Sequence, residues 1–236
     1  MSSTTWTPAG VSSNARQFSG TVWRMVESQY ESSTMRLVDT IREHEILEDI
    51  LEASKPPVPD GAKDLHYLLF SPFRYAYTAA FGTRFRAKGD TGVFYSADTP
   101  YTAASEVGYW RWKFVQDSEG LKRLSPSQFT AFSVPLSDLS VDLRIKPFKR
   151  DAVRWQHPSD YTATQAFAKI VRKTNVGIVI YKSVRCPIDS FCAAVLDPKA
   201  FAQKKPDNGM QSWVLSIADE VIWSRNQGEE SFSLTF

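Results

Sequence analysis

Residues 82–109 constrain the fold more than any other stretch of this chain. Within them Arg84, Tyr95 and Glu106 follow one another at intervals of eleven residues. The run 92–97 is short, mostly apolar and flanked by polar residues, which predicts a buried strand that contains Tyr95. A polar, Gly-containing loop precedes it and carries Arg84. The segment therefore predicts a loop followed by a strand, each presenting one polar side chain.

A helix is predicted directly after this strand. Residues 98–100, Asp-Thr-Pro, supply a capping side chain and a proline suited to the first helical position. Glu106 lies at the edge of an apolar stripe of this helix, and a carboxylate there is costly without a partner. We expect that partner to be Arg84 or a cationic ligand. The stripe consists of Ala103, Val107, Trp110 and Phe114.

Composition narrows the classes of protein to consider. A chain of 236 residues suits one domain that buries roughly 70–75% of its unfolded surface. The net charge of +2 is too small to argue for direct nucleic-acid binding. The sequence has no secretory signal and no run of about 18 apolar residues, so we expect no membrane association and a cytoplasmic location. Cys186 and Cys192 match no metal or redox spacing, and free thiols fit a cytosolic protein.

The pattern along the chain predicts an α+β fold. We expect residues 1–18, which are rich in Ser and Thr, to be loose. Residues 19–236 are expected to form a single domain with a helical insertion at about 30–60. The predicted strands are 22–26, 92–97, 128–134, 176–181, 191–196, 213–217 and 221–223. The predicted helices are 33–54, 100–114, 163–173 and 199–203.

Several catalytic chemistries lack their motifs. The run His44–Glu48 begins like a zinc-protease helix but lacks the second histidine. Only three histidines occur, so we expect no metal site. The nucleophile-elbow motif and the glycine-rich phosphate loops are absent. If a nucleotide binds, arginines must therefore hold its phosphates.

Four short motifs in order resemble the RES domain, a bacterial toxin module named for an arginine, a glutamate and a serine. The resemblance covers most of residues 66–201 and an opening strand. Its motifs are Gly82–Phe85, Val93–Tyr95, Ala103–Glu106 and Tyr181–Arg185, with Val22–Arg24 as the opening strand. The chain departs from the compact members of the family in a longer stretch between residues 24 and 66.

The resemblance implies a fold and an activity. The fold would be similar to that of ADP-ribosyltransferases, a split antiparallel sheet with surrounding helices and an NAD-binding cleft. The activity would be cleavage of the nicotinamide–ribose bond of NAD, by a glycohydrolase or a phosphorylase that uses phosphate as co-substrate. No cofactor beyond NAD itself is implied. Such a toxin arrests growth unless a cognate helix-turn-helix (Xre-type) antitoxin neutralises it.

Roles for single residues follow from the same resemblance. Glu106 would stabilise the transition state, Arg84 would hold the diphosphate, and Tyr95 would stack on the pyridinium. Ser183 would bind the nicotinamide amide or the ribose. Arg24 is a further candidate for a ligand contact, and Arg74 with its neighbour in sequence, Tyr75, is left open beside it.

Other interpretations remain open at this point. The same four residues would serve a protein ADP-ribosyltransferase, and a decayed cleft would leave an inactive binding module. Arg84 could instead pair with Asp90 or Asp98 on the surface, and Tyr95 and Ser183 could bond only to the chain itself. The residues do not distinguish a monomer from a homodimer.

Overall fold

A computed structural model describes residues 6–28, 37–75 and 81–236, and in these ranges one mixed sheet is surrounded by helices. The strands are β1 Arg16–Glu27, β2 Phe94–Ala97, β3 Leu124–Asp142, β4 Ile178–Lys182, β5 Phe191–Val195, β6 Gln211–Ile217, β7 Val221–Arg225 and β8 Glu230–Leu234. The helices are α1 Pro8–Ser12, α2 Ile41–Ser54, α3 Tyr67–Arg74, α4 Pro100–Asp117, α5 Ala152–Trp155 and α6 Thr162–Val171.

The sheet has the strand order β1-β2-β5-β4-β3-β6-β7-β8, with a further pairing of β1 with β3. All neighbours are antiparallel except β3 and β4. The pairings among β1, β2, β5, β4 and β3 form a closed circuit, and β6, β7 and β8 extend it from β3. The predicted α+β class is confirmed.

Strand β3 joins the two parts of the sheet. It pairs with β1 from Ser140 opposite Arg16 to Phe129 opposite Glu27. On its other edge the first half of β3 pairs with β6, and its last residues pair with β4. The three short strands β2, β5 and β4 therefore form one group, which β1 borders on one side and β3 on the other. This group carries the site described below.

Apolar side chains cover both faces of this group of strands. Helix α3 packs Leu69 and Phe73 against one face, where Phe94 meets Phe201 at a ring distance of 5.0 Å. Helix α4 covers the opposite face, where Val179 and Ala194 are buried. Both faces are thus buried, which explains why β4 and β5 have continuous apolar sequences without alternation.

Helix α4 begins as predicted but faces a different way. The Thr99 hydroxyl accepts a hydrogen bond from the Thr102 amide at 3.1 Å, as expected for a capping side chain. The residues buried on this helix include Ala104, Gly108 and Val115. The predicted stripe is wrong in its outer half, since Trp110 and Phe114 are exposed. Small residues let the helix approach the sheet closely, and this turns the larger side chains outward.

The N-terminal prediction is also corrected where the structure describes it. Residues 6–18 are not loose, because α1 and the start of β1 lie within them. Val11 is fully buried, and the Trp6 indole donates to Asp151 at 3.0 Å while its ring lies 4.6 Å from that of Phe148. Aromatic packing thus anchors this segment to the domain.

Differences at other elements are smaller. The helix predicted for 33–54 begins at Ile41, and its first residues, 33–36, lie outside the described ranges. The helix predicted for 199–203 is a single 3₁₀ turn, Pro198–Ala200. The predicted hairpin forms as β6 and β7, and β8, which had no prediction, pairs with β7.

Candidate active site

A cavity of about 450 Å³ lies between α4 and the face formed by β2, β5 and β4. Residues directly opposite each other on neighbouring strands share a face. Ala97 of β2 is opposite Cys192 of β5, and Cys192 is opposite Tyr181 of β4. They form the floor, to which Tyr95 also contributes. The walls come from β1, β2, α4, the loop before β2 and one residue that precedes α6. They comprise Arg24, Met25, Gly82, Thr83, Arg84, Ser96, Ala103, Glu106, Val107, Trp110 and Tyr161.

The loop that carries Arg84 is fixed by the hydroxyl of Tyr95. This hydroxyl lies 2.7 Å from Thr83 Oγ1 and accepts from the Phe85 amide at 2.9 Å. Residues Thr83 and Arg86 exchange backbone hydrogen bonds, which closes a tight turn around Arg84. Burial raises the pKa of Tyr95, so the phenol stays protonated at neutral pH. Tyr95 therefore positions the loop while its ring lines the cavity.

Arg84 is buried, and its guanidinium is held by backbone carbonyls. Nη1 donates to the carbonyl oxygens of Trp155 at 2.9 Å and His157 at 3.0 Å, and the group lies 4.6 Å above the Tyr161 ring. Among the described residues, Nη2 and Nε have no hydrogen-bond partner, and no carboxylate forms an ion pair with Arg84. Of the two partners expected for Glu106, Arg84 is therefore not the one it meets within the described residues, and a cationic ligand stays a prediction. A pairing of Arg84 with Asp90 or Asp98 does not form either. Backbone carbonyls orient the cation without neutralising it.

Glu106 is held by two neutral donors instead. Its Oε1 accepts from Ser183 Oγ at 2.6 Å and lies 3.7 Å from Cys192 Sγ. Ser183 is itself fixed, because its Oγ accepts from the Cys186 amide at 3.1 Å. Hydrogen bonds from neutral groups orient a carboxylate and leave its charge in place. The structure thus brings Glu106 and Ser183 together, as the motif order predicted, and adds Cys192.

Two weak acids on the floor of the cavity remain neutral. Burial raises the pKa of the Cys192 thiol well above its usual range, and the Glu106 carboxylate adds to the shift. Burial likewise raises the pKa of Tyr181, with contributions from Cys192 and Glu106. Because neither group ionises at neutral pH, neither adds a negative charge beside Glu106.

Arg24 lies in the cavity wall and Arg74 does not. Arg24 Nη1 donates to the Tyr95 carbonyl at 2.6 Å, and its guanidinium lies 4.8 Å from the Phe94 ring centre. Its buried Nε has no hydrogen-bond partner within the described part of the chain. Burial lowers the pKa of Arg24 to about 10, which still leaves it charged at neutral pH. Two cations, Arg24 and Arg84, therefore line the same cavity as Glu106.

Arg74 has a structural position instead. It forms an ion pair with Glu52 at 2.7 Å and donates to the Pro56 carbonyl at 2.6 Å. These contacts tie α2 and the proline-rich segment after it to α3. Of the two arginines that the sequence left open as ligand contacts, Arg24 lines the cavity and Arg74 is bound to α2 and the segment after it.

Sequence reasoning missed several residues of this cavity. Tyr181 and Cys192 lie on strands without alternation, so no period in the sequence distinguishes the face on which they lie. Tyr161 precedes α6 and is 77 residues away in sequence from Arg84, which it covers. Trp110 was assigned to the core. The only sequence signal against that assignment was the pair of small residues Ala104 and Gly108, which lie on the side of α4 that packs against the sheet.

Two other kinds of feature are absent from the part of the chain that the structure describes. No cluster of three or more His, Cys, Asp or Glu residues that could hold a metal ion occurs in the ranges that the structure describes. Over the same ranges, no helix has the length and apolar character needed to cross a membrane.

Comparisons with known proteins place this chain in a family. Residues 58–217 match the RES domain, whereas no curated protein matches the chain. Among solved structures, the chain is similar to the crystal structure of the M. tuberculosis MbcT–MbcA toxin–antitoxin complex. The match has 12% sequence identity, a TM-score of 0.46, and coverage of 97% of this chain and 91% of the other. The RES match spans more than half of the sequence and includes Arg84, Tyr95, Glu106 and Ser183. The chain belongs to the RES domain family.

Proposed function

We propose that this protein is a toxin that cleaves the nicotinamide–ribose bond of NAD. The observation that carries the proposal is the Glu106 carboxylate, which is held at one oxygen by Ser183 in a cavity that Arg24 and Arg84 also line. This cavity combines one anion for a cationic reacting centre with two cations for a diphosphate. Membership of the RES family supports the same activity.

The nicotinamide of NAD is already a cationic leaving group. When the bond between the ribose carbon and the ring nitrogen breaks, the electron pair goes to nicotinamide, and positive charge develops on the ribose. A carboxylate beside the ribose stabilises this charge, as carboxylates do at other glycosides. Glu106 is oriented for that task, because Ser183 and Cys192 fix Oε1 and Oε2 has no hydrogen-bond partner among the described residues.

The remaining side chains bind and orient the substrate. The free Nη2 and Nε of Arg84 suit a bidentate contact with a phosphate, and Arg24 Nε offers a further donor. The rings of Tyr95 and Tyr181 give the pyridinium aromatic surface in an apolar floor. Ser183 is committed to Glu106, so it acts on the substrate through that carboxylate rather than by a direct contact.

Water or phosphate would complete the reaction at the ribose carbon. Water gives ADP-ribose and a proton, whereas phosphate gives ADP-ribose 1″-phosphate. A helix-turn-helix antitoxin of the Xre type would silence the protein in its own cell. These finer steps rest on the resemblance to RES toxins and on the chemistry of the cavity.

Product analysis tests the proposal. The purified chain is incubated with NAD, with and without inorganic phosphate, and the products are separated by chromatography and identified by mass. Free nicotinamide in both reactions would indicate hydrolysis, whereas nicotinamide and ADP-ribose 1″-phosphate that form only when phosphate is present would indicate phosphorolysis. A label that appears on protein when tagged NAD is added to cell extract would indicate a protein ADP-ribosyltransferase instead. A folded chain that leaves NAD intact with every acceptor would refute the proposal.

A further inference from the structure

The outer side of α4 carries an apolar groove that the proposed cleavage does not use. It is a shallow surface groove of about 370 Å³ that is lined by Val107, Trp110, Arg111 and Phe114. Trp110 is 49% exposed and Phe114 is 55% exposed, although both are large aromatic residues. These four residues recur at helical spacing, so they form one continuous stripe along the helix.

The groove continues directly from the cavity. Val107 and Trp110 line both, and Val107 follows Glu106 in sequence. Phe114 is eight residues beyond Glu106, which places it about 12 Å farther along the helix axis at 1.5 Å per residue. A ligand with one end at Glu106 therefore reaches the groove if it is extended.

Aromatic rings dominate the surface of the groove. Among the described residues, Arg111 is the one charged residue that lines it, and this arginine forms an ion pair with Glu27. Its guanidinium also lies 5.7 Å from the Phe129 ring centre, which keeps it against the helix. A second guanidinium, that of Arg185, lies 6.0 Å from the Trp110 ring centre but closer to Tyr109, at 3.5 Å. Because Glu27 partly neutralises Arg111, the rings of Trp110 and Phe114 make up most of the surface that the groove offers to a ligand.

We propose that this groove is the subsite for the adenine ring of the dinucleotide, with Trp110 as its stacking platform. The inference rests on the proposed function, which places the nicotinamide end at Glu106 and the diphosphate at Arg84. The adenine ring is then the part of NAD left outside the cavity. Nucleic-acid bases stack on aromatic side chains without further recognition, and Trp110 offers an exposed ring at the mouth.

Comparison of two substrates tests this subsite. NAD carries adenine and nicotinamide mononucleotide does not, so Trp110→Ala is assayed with both. We expect the KM for NAD to rise about 10-fold with kcat within about twofold, and the KM for the mononucleotide to stay unchanged. Trp110→Phe keeps a stacking ring and should recover most of the loss. Tyr67→Ala is the matched control, because Tyr67 is 59% exposed on α3, against the other face of the sheet, and should leave both substrates unaffected.

Direct binding separates this inference from the proposed function. Calorimetry with ADP-ribose, which carries adenine but no nicotinamide, should show the same loss of about 10-fold in Trp110→Ala even if the wild-type chain does not cleave NAD. An unchanged affinity for ADP-ribose, or equal losses with NAD and the mononucleotide, would overturn the subsite. If Trp110→Ala binds ADP-ribose normally but loses a co-purified protein partner, the groove is a protein interface and the inference is wrong.

Discussion

At the residue scale, Glu106 Oε1 is the atom to which two side chains of the site donate. Ser183 Oγ and Cys192 Sγ both lie within hydrogen-bonding distance of it, and both belong to segments far from α4 in sequence. The thiol can donate only while it is protonated, and burial beside a carboxylate keeps it so. The same two causes make the stability of the fold depend on pH.

The raised pKa of Cys192 predicts a loss of stability in alkaline solution. The unfolded thiol loses its proton near its usual pKa of about 8.5, while the folded thiol retains it. The free energy of unfolding should therefore be unaffected below about pH 8.5 and should fall as pH rises above it. Tyr95 and Tyr181 add to this only above about pH 10, their usual pKa.

Urea unfolding of the wild-type chain and Cys192→Ser from pH 7 to 10 measures this effect. The serine keeps a small donor beside Glu106 but does not ionise, so the decline between about pH 8.5 and pH 10 should become shallower. Identical pH profiles for the two proteins would show that Cys192 titrates normally in the fold.

A second prediction concerns Arg84, because Nη1 binds backbone carbonyls and the proposed function assigns Nη2 and Nε to the substrate. Arg84→Ala should raise the KM for NAD by about 10-fold or more, since a charge-assisted contact to phosphate is lost. It should also lower the free energy of unfolding by about 1–3 kcal/mol, because the Trp155 and His157 carbonyls lose their donor. Steady-state kinetics and urea unfolding measure the two effects. A variant with normal KM and reduced kcat would contradict the role as a diphosphate clamp.

At the element scale, the approach of α3 to β2 depends on a glycine. A methyl group added at Gly92 would lie 2.5 Å from Phe73 Cα and would also collide with the Pro72 carbonyl oxygen. Both are backbone atoms of α3, so neither can move aside without shifting the helix.

Gly92→Ala should therefore destabilise the fold by about 1–3 kcal/mol or more, as overpacking does. Gly61→Ala is the control, because no heavy atom lies within 4 Å of the methyl group it would add. Thermal unfolding of both variants measures the difference. Equal melting temperatures would mean that α3 is not packed against the start of β2 as described.

Helix α4 shows which properties of an element the sequence predicts. Its start followed from the capping residue Thr99 and from the proline at the next position. Its orientation did not, because the apolar stripe was assigned by size. The structure instead packs Gly108 against Val221 and Trp223, where an added methyl group would lie 2.9 Å from Val221 Cγ1. The contact surface of a helix is set by what it meets across the sheet, and that partner strand lies more than a hundred residues away.

Helix α2 illustrates the same limit. Its capping box around Thr40 and Glu43 forms, and its pattern of apolar residues resembles that of a helix packed on a core. Yet no residue of α2 is buried, and Ile41, Ile46 and Ile50 are exposed. Periodicity indicates that a helix forms; it does not indicate that the domain covers it.

At the scale of the whole molecule, the site assembles from segments that the topology brings together. The sequence motifs predicted Glu106, Arg84, Tyr95 and Ser183 as a group, and the fold places all of them at or beside one cavity. The motifs did not predict how each is held, because the carbonyls that bind Arg84 lie 71 and 73 residues away in sequence. Local spacing identifies which side chains to consider, and strand register determines which atoms they meet.

The most direct test of this account is the rate of nicotinamide release from enzyme-bound NAD in Glu106→Gln. The glutamine keeps the size of the side chain and an acceptor for Ser183 but lacks the charge that we propose stabilises the ribose cation. A single-turnover experiment at saturating NAD should show release slowed by about 100-fold or more, with NAD affinity and melting temperature close to those of the wild-type chain. Release at the wild-type rate from a folded Glu106→Gln protein would contradict the claim that this carboxylate drives the cleavage.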